Sequence, residues 1–283
     1  MAGMTPHATT SGSATQRWAA ELAAWAIDPE ILAAAPESPY GLPPELFALE
    51  HTRAAPSPLL GLARAALPDD GTVLDVGAGG GAASLPLFPP AAHLHAVDSQ
   101  RSMLVALREA ASRQGVDLTT YDGSWPDVAD QVPRCDVVVC SHVAYNVPDL
   151  AAFATALTTH ARHLVVMELF ADHPWVPLGP LWEHFHHQQR PAGPTADLAV
   201  AVLREAGIEP EERRWSRPAV PLTGDLRETY VAFTRRRLCL PASRDAEVAE
   251  QVARIPRGPR ESAVLSWGPG PEPPPVAVVV TGE

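Results

Sequence analysis

The chain has 283 residues, enough for one large domain with additions, and its 46% hydrophobic content suffices for a real core. All 21 basic residues are arginine, so any mechanism that needs lysine, such as a Schiff base or a Walker-type phosphate lysine, is excluded. A formal net charge of −12 disfavours bulk RNA or DNA as substrate, because phosphate contacts supply most of that affinity and call for a basic surface.

Residues 1–14 are small and polar and read as a disordered tail; with no basic start and no apolar run, they are not expected to act as a signal peptide. Over residues 16–35, Trp18, Leu22, Trp25, Ile31 and Leu32 fall at near-helical spacing, with Pro29 dividing two short helices. Pro36, Pro39, Gly41, Pro43 and Pro44 make a rigid connector, followed by helices predicted over 44–51 and 58–66. Residues 15–67 are thus expected to form a helical cap, too small to be an independent domain.

From Gly71 the pattern alternates between strand and helix, the signature of a parallel sheet covered on both faces. Strands are predicted over 72–76, 93–97, 117–121, 136–140 and 164–170, with helices over 82–87, 101–114, 127–131 and 150–160. An aromatic, His- and Pro-rich segment, 171–194, reads as a lid, and a helix over 195–206 ends at Gly207, where a left-handed cap is wanted. Beyond it come strands over 211–216 and 262–267, and between them a helical insertion, 224–255, built from helices over 224–238 and 243–255. The main domain so defined spans 68–267, and the Pro-rich stretch 268–283 reads as a second disordered tail.

Two arginine runs, Arg213-Arg214 and Arg235-Arg236-Arg237, read as a strand edge or a solvated helix face. Cys135, Cys140 and Cys239 lack metal-ligand spacing and fit reduced thiols in a cytoplasmic protein. No apolar stretch approaches the roughly 20 residues that span a bilayer.

The stretch Val73-Leu74-Asp75-Val76-Gly77-Ala78-Gly79-Gly80-Gly81 carries most of the functional information. It reads as a buried strand ending in a glycine turn that lets a ligand approach backbone amides. The glycines also satisfy the looser dinucleotide fingerprint, so the turn alone leaves two cofactors open. Asp75 separates them. A diphosphate repels a carboxylate inside that strand, whereas a sulfonium cofactor with an ammonium group is attracted by it. Asp98, at the end of the next strand, is placed to accept ribose hydroxyls in either case.

The order of Leu74-Asp75-Val76-Gly77, Ala96-Val97-Asp98-Ser99 with Met103-Leu104, and Cys140-Ser141-His142-Val143-Ala144-Tyr145-Asn146-Val147 resembles small class I S-adenosylmethionine-dependent methyltransferases. The resemblance covers roughly residues 70–170 and implies an α/β, Rossmann-like, doubly wound and mostly parallel seven-stranded sheet, closed by a reversed strand, here with the N-terminal helical cap added. It also implies S-adenosylmethionine with Asp98 on the ribose, Gly77 to Gly79 near the methionine part and Met103 against adenine. Where the family commonly has Gly-Asp after the third strand, this chain has Gly123-Ser124, with Asp122 one residue early and Trp125 one late. Ser124 with Trp125 nearby is the favoured adenine contact, Asp122 the alternative. The expected cofactor set is therefore Asp75, Gly77, Ala78, Gly79, Gly81, Asp98, Ser99, Met103, Gly123, Ser124, Trp125 and Ser141.

Ligands of open parallel sheets bind beyond the carboxyl ends of the strands. That rule directs a substrate to Tyr145, Asn146 and Glu168, with Trp182 in the aromatic lid, and makes His142 and His173 the candidates for any base. Glu183, His184, His186 and His187 lack a complete ligand set, so no metal is expected. The resulting expectation is methyl transfer to a small molecule, with no nucleic-acid or membrane partner. Its rivals are an NAD(P)-dependent oxidoreductase using the same loop and a non-catalytic S-adenosylmethionine-binding protein.

Overall fold

The computed structural model describes residues 12–46, 57–219 and 221–269; both expected disordered tails fall largely, and the helix over 44–51 partly, outside these residues. Seven strands form one sheet: β1 Thr72–Val76, β2 His93–Asp98, β3 Asp117–Asp122, β4 Cys135–Ser141, β5 Ala161–Phe170, β6 Glu211–Arg217 and β7 Arg260–Trp267. Their order is β3-β2-β1-β4-β5-β7-β6, and β1 to β5 are mutually parallel. Of the seven, β7 alone points the opposite way, inserted between β5 and β6. All seven predicted strands are present, and the reversed one is the last of the seven.

The helices are α1 Ala14–Ala23, α2 Pro29–Ala33, α3 Pro58–Ala66, α4 Arg101–Gln114, α5 Leu150–His160, α6 Gly179–His186, α7 Ala196–Glu205, α8 Gly224–Arg237 and α9 Asp245–Arg254. Strand alternation sorts the core into two layers. Leu74, Val76, Val138, Cys140, Val165 and Met167 face a layer with Trp18, Phe153, Leu157 and Leu203. Val73, Val137, Val139 and Val166 face Leu59, Ala63, Leu107 and Ala111 on α3 and α4. A third cluster, away from the sheet, joins α6, α8 and α9 through Leu178, Trp182, Val231, Val248 and Val252.

Two helix predictions need correction. Residues 82–87 form turns and a single 3-10 turn, Leu85–Leu87, instead of an α-helix. Pro86 has no N–H to continue a helix from the preceding turn, and the glycines upstream give no helical start. Residues 127–131 likewise shrink to the 3-10 turn Ala129–Gln131.

The N-terminal helix is fixed at its start and its middle by distant groups. Ser13 and Gln16 form a capping box, and Glu205 of α7 accepts from Ala14 N (2.6 Å) and Thr15 N (3.1 Å), a carboxylate at the positive end of α1. Trp18 is fully buried and donates to Val147 O at 2.8 Å, which ties α1 to the loop after β4.

The run Arg235-Arg236-Arg237 is not a solvated face. Arg235 is 6% exposed and bonds Glu37 Oε1 (2.6 Å), Asp245 Oδ1 (3.0 Å) and Leu240 O (3.0 Å). Arg236 donates to Gly41 O at 2.9 Å, and Arg237 to Pro39 O at 3.4 Å with its guanidinium 4.9 Å from the Trp175 ring. The three arginines clamp the proline-rich connector. Since Glu37 and Asp245 are half exposed, their loss of a partner is partly screened. Arg235→Ala is expected to cost roughly 2 kcal/mol, read from the urea midpoint at unchanged slope. Arg213-Arg214, by contrast, does lie on the exposed edge strand β6.

Candidate functional site

Beyond Val76 the chain turns at positive φ, 71° at Gly77 and 51° at Gly79. The amides of Gly77 and Ala78 both donate to Val97 O, at 2.8 and 3.0 Å, which draws the turn across the end of β2. A Cβ at Gly77 would lie 2.2 Å from Val143 Cγ2, so this turn is pressed against the loop after β4. At Gly79 the same atom would meet nothing within 4 Å: here the backbone faces open space.

Below the turn sits Asp75, 1% exposed, with Oδ2 lacking a hydrogen-bond partner. Burial pushes its carboxyl up to about 7; the nearby Ser84 hydroxyl lowers it and the Asp98 carboxylate raises it. Ser84 Oγ is also buried without a bond of good geometry, and among the described residues Asp75 has a polar neighbour but no ion pair. Asp98 closes β2 with Oδ2 accepting from Gly79 N (2.8 Å) and Oδ1 from Gln100 N (2.7 Å). Its carboxyl is raised by burial against the lowering effect of those two amides.

Sequence reasoning missed Gln100. Its side-chain amide grips both backbone groups of Leu42, accepting from N (2.8 Å) and donating to O (2.7 Å). The connector is thereby laid beside the Asp98 turn, a contact spanning 58 residues that no local pattern signals.

The turn after β3 is tied to the same place, with Gly123 N donating to Asp98 O at 3.1 Å. Ser99, Asp122 and Ser124 are exposed around it, while Met103 on α4 is 3% exposed. Trp125 turns inward, 8% exposed and edge-on to His160 with centroids 4.7 Å apart. Its indole thus belongs to the core layer of β1, β2 and β4.

At the ends of β4 and β5, Ser141 pairs in register with Glu168, and His142 N donates to Glu168 O at 2.7 Å. His142 has φ 59° and stacks on Phe170 with centroids 4.2 Å apart. Its Nε2 lies 2.5 Å from Arg217 Nη1. A guanidinium only donates, so Nε2 must accept and Nδ1 must carry the ring hydrogen. That Nδ1–H is buried and has no partner. Burial, then Arg217 and Arg260, hold the imidazole well below the usual histidine range.

His173 is 2% exposed, stacked on Trp25 at 4.1 Å and edge-on to Tyr145 at 5.3 Å. Its Nδ1 accepts from Trp175 N at 3.3 Å, and burial with Arg237, Arg260 and Arg190 brings its pKa down to about 3. Tyr145 exchanges hydrogen bonds with Phe170 N and O. Glu168, 4% exposed, accepts from Ser57 Oγ (2.9 Å) and Trp215 Nε1 (3.1 Å). Asn146 is exposed. Trp182 sits apart in the third cluster, its ring 4.7 Å from the Arg190 guanidinium. In the His-rich segment, His184 pairs with Glu247 at 3.1 Å and His186 donates to Leu238 O at 2.7 Å.

The family model described as Methyltransferase domain matches residues 49–211, more than half of the chain. An O-methyltransferase of ubiquinone biosynthesis from Aeromonas salmonicida is 34% identical over 91 residues, 32% of this chain and 38% of that protein. An uncharacterized protein of Haemophilus influenzae is 34% identical over 99 residues, 35% of this chain and 37% of its own length. The chain therefore spans less than two fifths of the curated relatives it matches. In fold it is similar to the YcgJ protein of Bacillus subtilis, with TM-score 0.52 and 15% identity over 75% of this chain and 98% of that one. A family match of this extent, on a sheet of this strand order and with an acid beneath the glycine turn, leaves one assignment: the chain belongs to the class I S-adenosylmethionine-dependent methyltransferase family.

Proposed function

We propose that the protein transfers a methyl group from S-adenosylmethionine to a small-molecule acceptor. The observation that carries this reading is Asp75, a carboxyl buried beneath the glycine turn with one oxygen lacking a hydrogen-bond partner. Such a group wants a cation, and neutral pH lies close to its pKa of about 7. S-adenosylmethionine supplies a methyl group on a positively charged sulfur and carries an ammonium group beside it.

Residue roles follow from position. Gly77, Ala78, Gly79 and Gly81 bring backbone close to the methionine part, with Ser141 facing them from β4. Asp98 takes the ribose hydroxyls, flanked by Ser99. Met103, Gly123 and Ser124 border adenine, and Trp125 supports that turn from the core side. Asp122 is the second choice for the adenine amino group.

On the acceptor side, His142, Tyr145 and Glu168 form the wall nearest the methyl group, with Asn146 at its rim. His142 acts there as a hydrogen-bond donor through Nδ1–H and orients the acceptor. His173 holds the aromatic wall rather than moving a proton, because its pKa of about 3 leaves it a weak base. Residues 15–67 act as a cap and 171–194 as a lid over the acceptor, with Trp182 anchoring that lid in the third cluster instead of touching the acceptor. A net charge of −12 favours a small molecule over nucleic acid, and three free, buried thiols suit a cytoplasmic protein.

Calorimetric titration of one sample with S-adenosylmethionine, its demethylated product and NAD tests the reading. Binding of the first two and not of NAD is expected, and failure of both to bind overturns it. Asp98→Ala is expected to weaken S-adenosylmethionine about 100-fold, two charge-assisted hydrogen bonds being lost.

A further inference from the structure

We propose that His142, Arg217 and Arg260, gathered round Phe170, form an anion-binding subsite, and that the methyl acceptor is a small molecule carrying a carboxylate. The word acceptor rests on the methyltransferase reading; the subsite itself does not.

The register of β6 and β7 sets Arg217 directly opposite Arg260. Like charges directly opposite on antiparallel strands destabilise a sheet. Both guanidinium carbons lie over one ring, 5.9 and 3.9 Å from the Phe170 centroid. Arg260 is partly buried, yet among the described residues its hydrogen bonds go only to backbone carbonyls, Pro174 O at 3.3 Å and His173 O at 3.5 Å. A guanidinium removed from water without a carboxylate is costly unless something negative joins it.

His142 adds a third donor. Arg217, which makes further contacts of its own, occupies Nε2, and the buried Nδ1–H is left without an acceptor. Of the acids nearby among the described residues, Glu168 is engaged by Ser57, Trp215 and further contacts, and Asp172, whose charge reaches Arg260, is exposed to water and forms no ion pair with it. Arg190 and Arg237 also bring positive charge to the neighbouring His173. A carboxylate matches the donors: two oxygens, one charge, and a planar shape suited to a guanidinium fork.

Histidine-selective nitrogen NMR of the full chain, titrated with acetate and with acetamide, tests this. The expected result is His142 protonated at Nδ1 and bare at Nε2, with saturable shifts of Nδ1 by acetate and none by acetamide. Arg260→Gln is expected to weaken acetate about tenfold, one charged partner being lost, and the spectrum itself reports whether the variant is folded. An Nε2–H tautomer, no response to acetate, or equal responses to both probes would overturn the proposal. Failure of S-adenosylhomocysteine to bind while the acetate response persists would sink the methyltransferase reading and leave the subsite standing.

Discussion

The Asp75→Asn variant is expected to bind S-adenosylmethionine far more weakly and at the same time to be harder to melt above neutral pH. Asp75 is 1% exposed, and burial raises its carboxyl from an ordinary 3.8 to about 7. Between those values the unfolded chain releases the proton and the folded chain keeps it. The stability associated with the protonated form is therefore complete below pH 3.8 and lost as pH rises through about 7. By linkage the loss is on the order of 4 kcal/mol. Asparagine has the same size and never ionises, so Asp75→Asn escapes the loss. Melting curves of both proteins from pH 4 to 8 are expected to coincide near the acid end and separate towards the alkaline end, the variant melting higher. A cofactor affinity reduced about 100-fold or more should accompany this, because a buried cation loses its counter-charge. Equal melting temperatures at pH 8 would mean that Asp75 already has a charged partner in the free protein. Stability and function oppose each other at this residue, as at many built sites.

The Gly77→Ala variant is expected to lose roughly 4 kcal/mol, enough to threaten folding at 37 °C. Two separate effects add. The backbone at φ 71° disfavours any side chain, and the new methyl would sit 2.2 Å from Val143 Cγ2. Val143→Ala removes the second effect and leaves the first. The double variant Gly77→Ala/Val143→Ala is therefore expected to recover about half of the lost stability in urea titrations, a coupling between two loops that meet only in the folded chain. Strict additivity would show that the loops do not touch.

The sheet was legible because its strands are short apolar runs bounded by turn residues, and buried parallel strands leave that trace. Val73–Val76 and Val137–Cys140 are of this kind. The glycine turn, Asp75 and Asp98 were legible for a related reason: each is a local departure from an apolar strand. Helix 82–87 was misread because apolar spacing outweighed Pro86. Contacts between distant segments left no signal at all. Arg235 looked solvated because Glu37, its partner, lies 198 residues earlier, and Gln100 was passed over because Leu42 belongs to the connector. The tautomer of His142 was equally hidden, since Arg217 reaches it across 75 residues.

The position of β7 bears on how the chain assembles. Of the seven strands it is the last to leave the ribosome, yet it lies second from the edge, and among the described residues β6 has no other neighbour in the sheet. Synthesis delivers β1 to β5 in an order that lets them pair at once; β6 must then wait while some 40 residues, including α8 and α9, are added. Until Arg260–Trp267 threads between β5 and β6, the hydrogen-bonding side of β5 stays open and prone to foreign pairing. Arg260 arrives on that same strand. The acceptor side of the protein therefore reaches its final form only when the sheet does, and a ribosome-bound nascent chain stalled before residue 260 would have the glycine turn but no partner for Arg217 in the β6–β7 ladder.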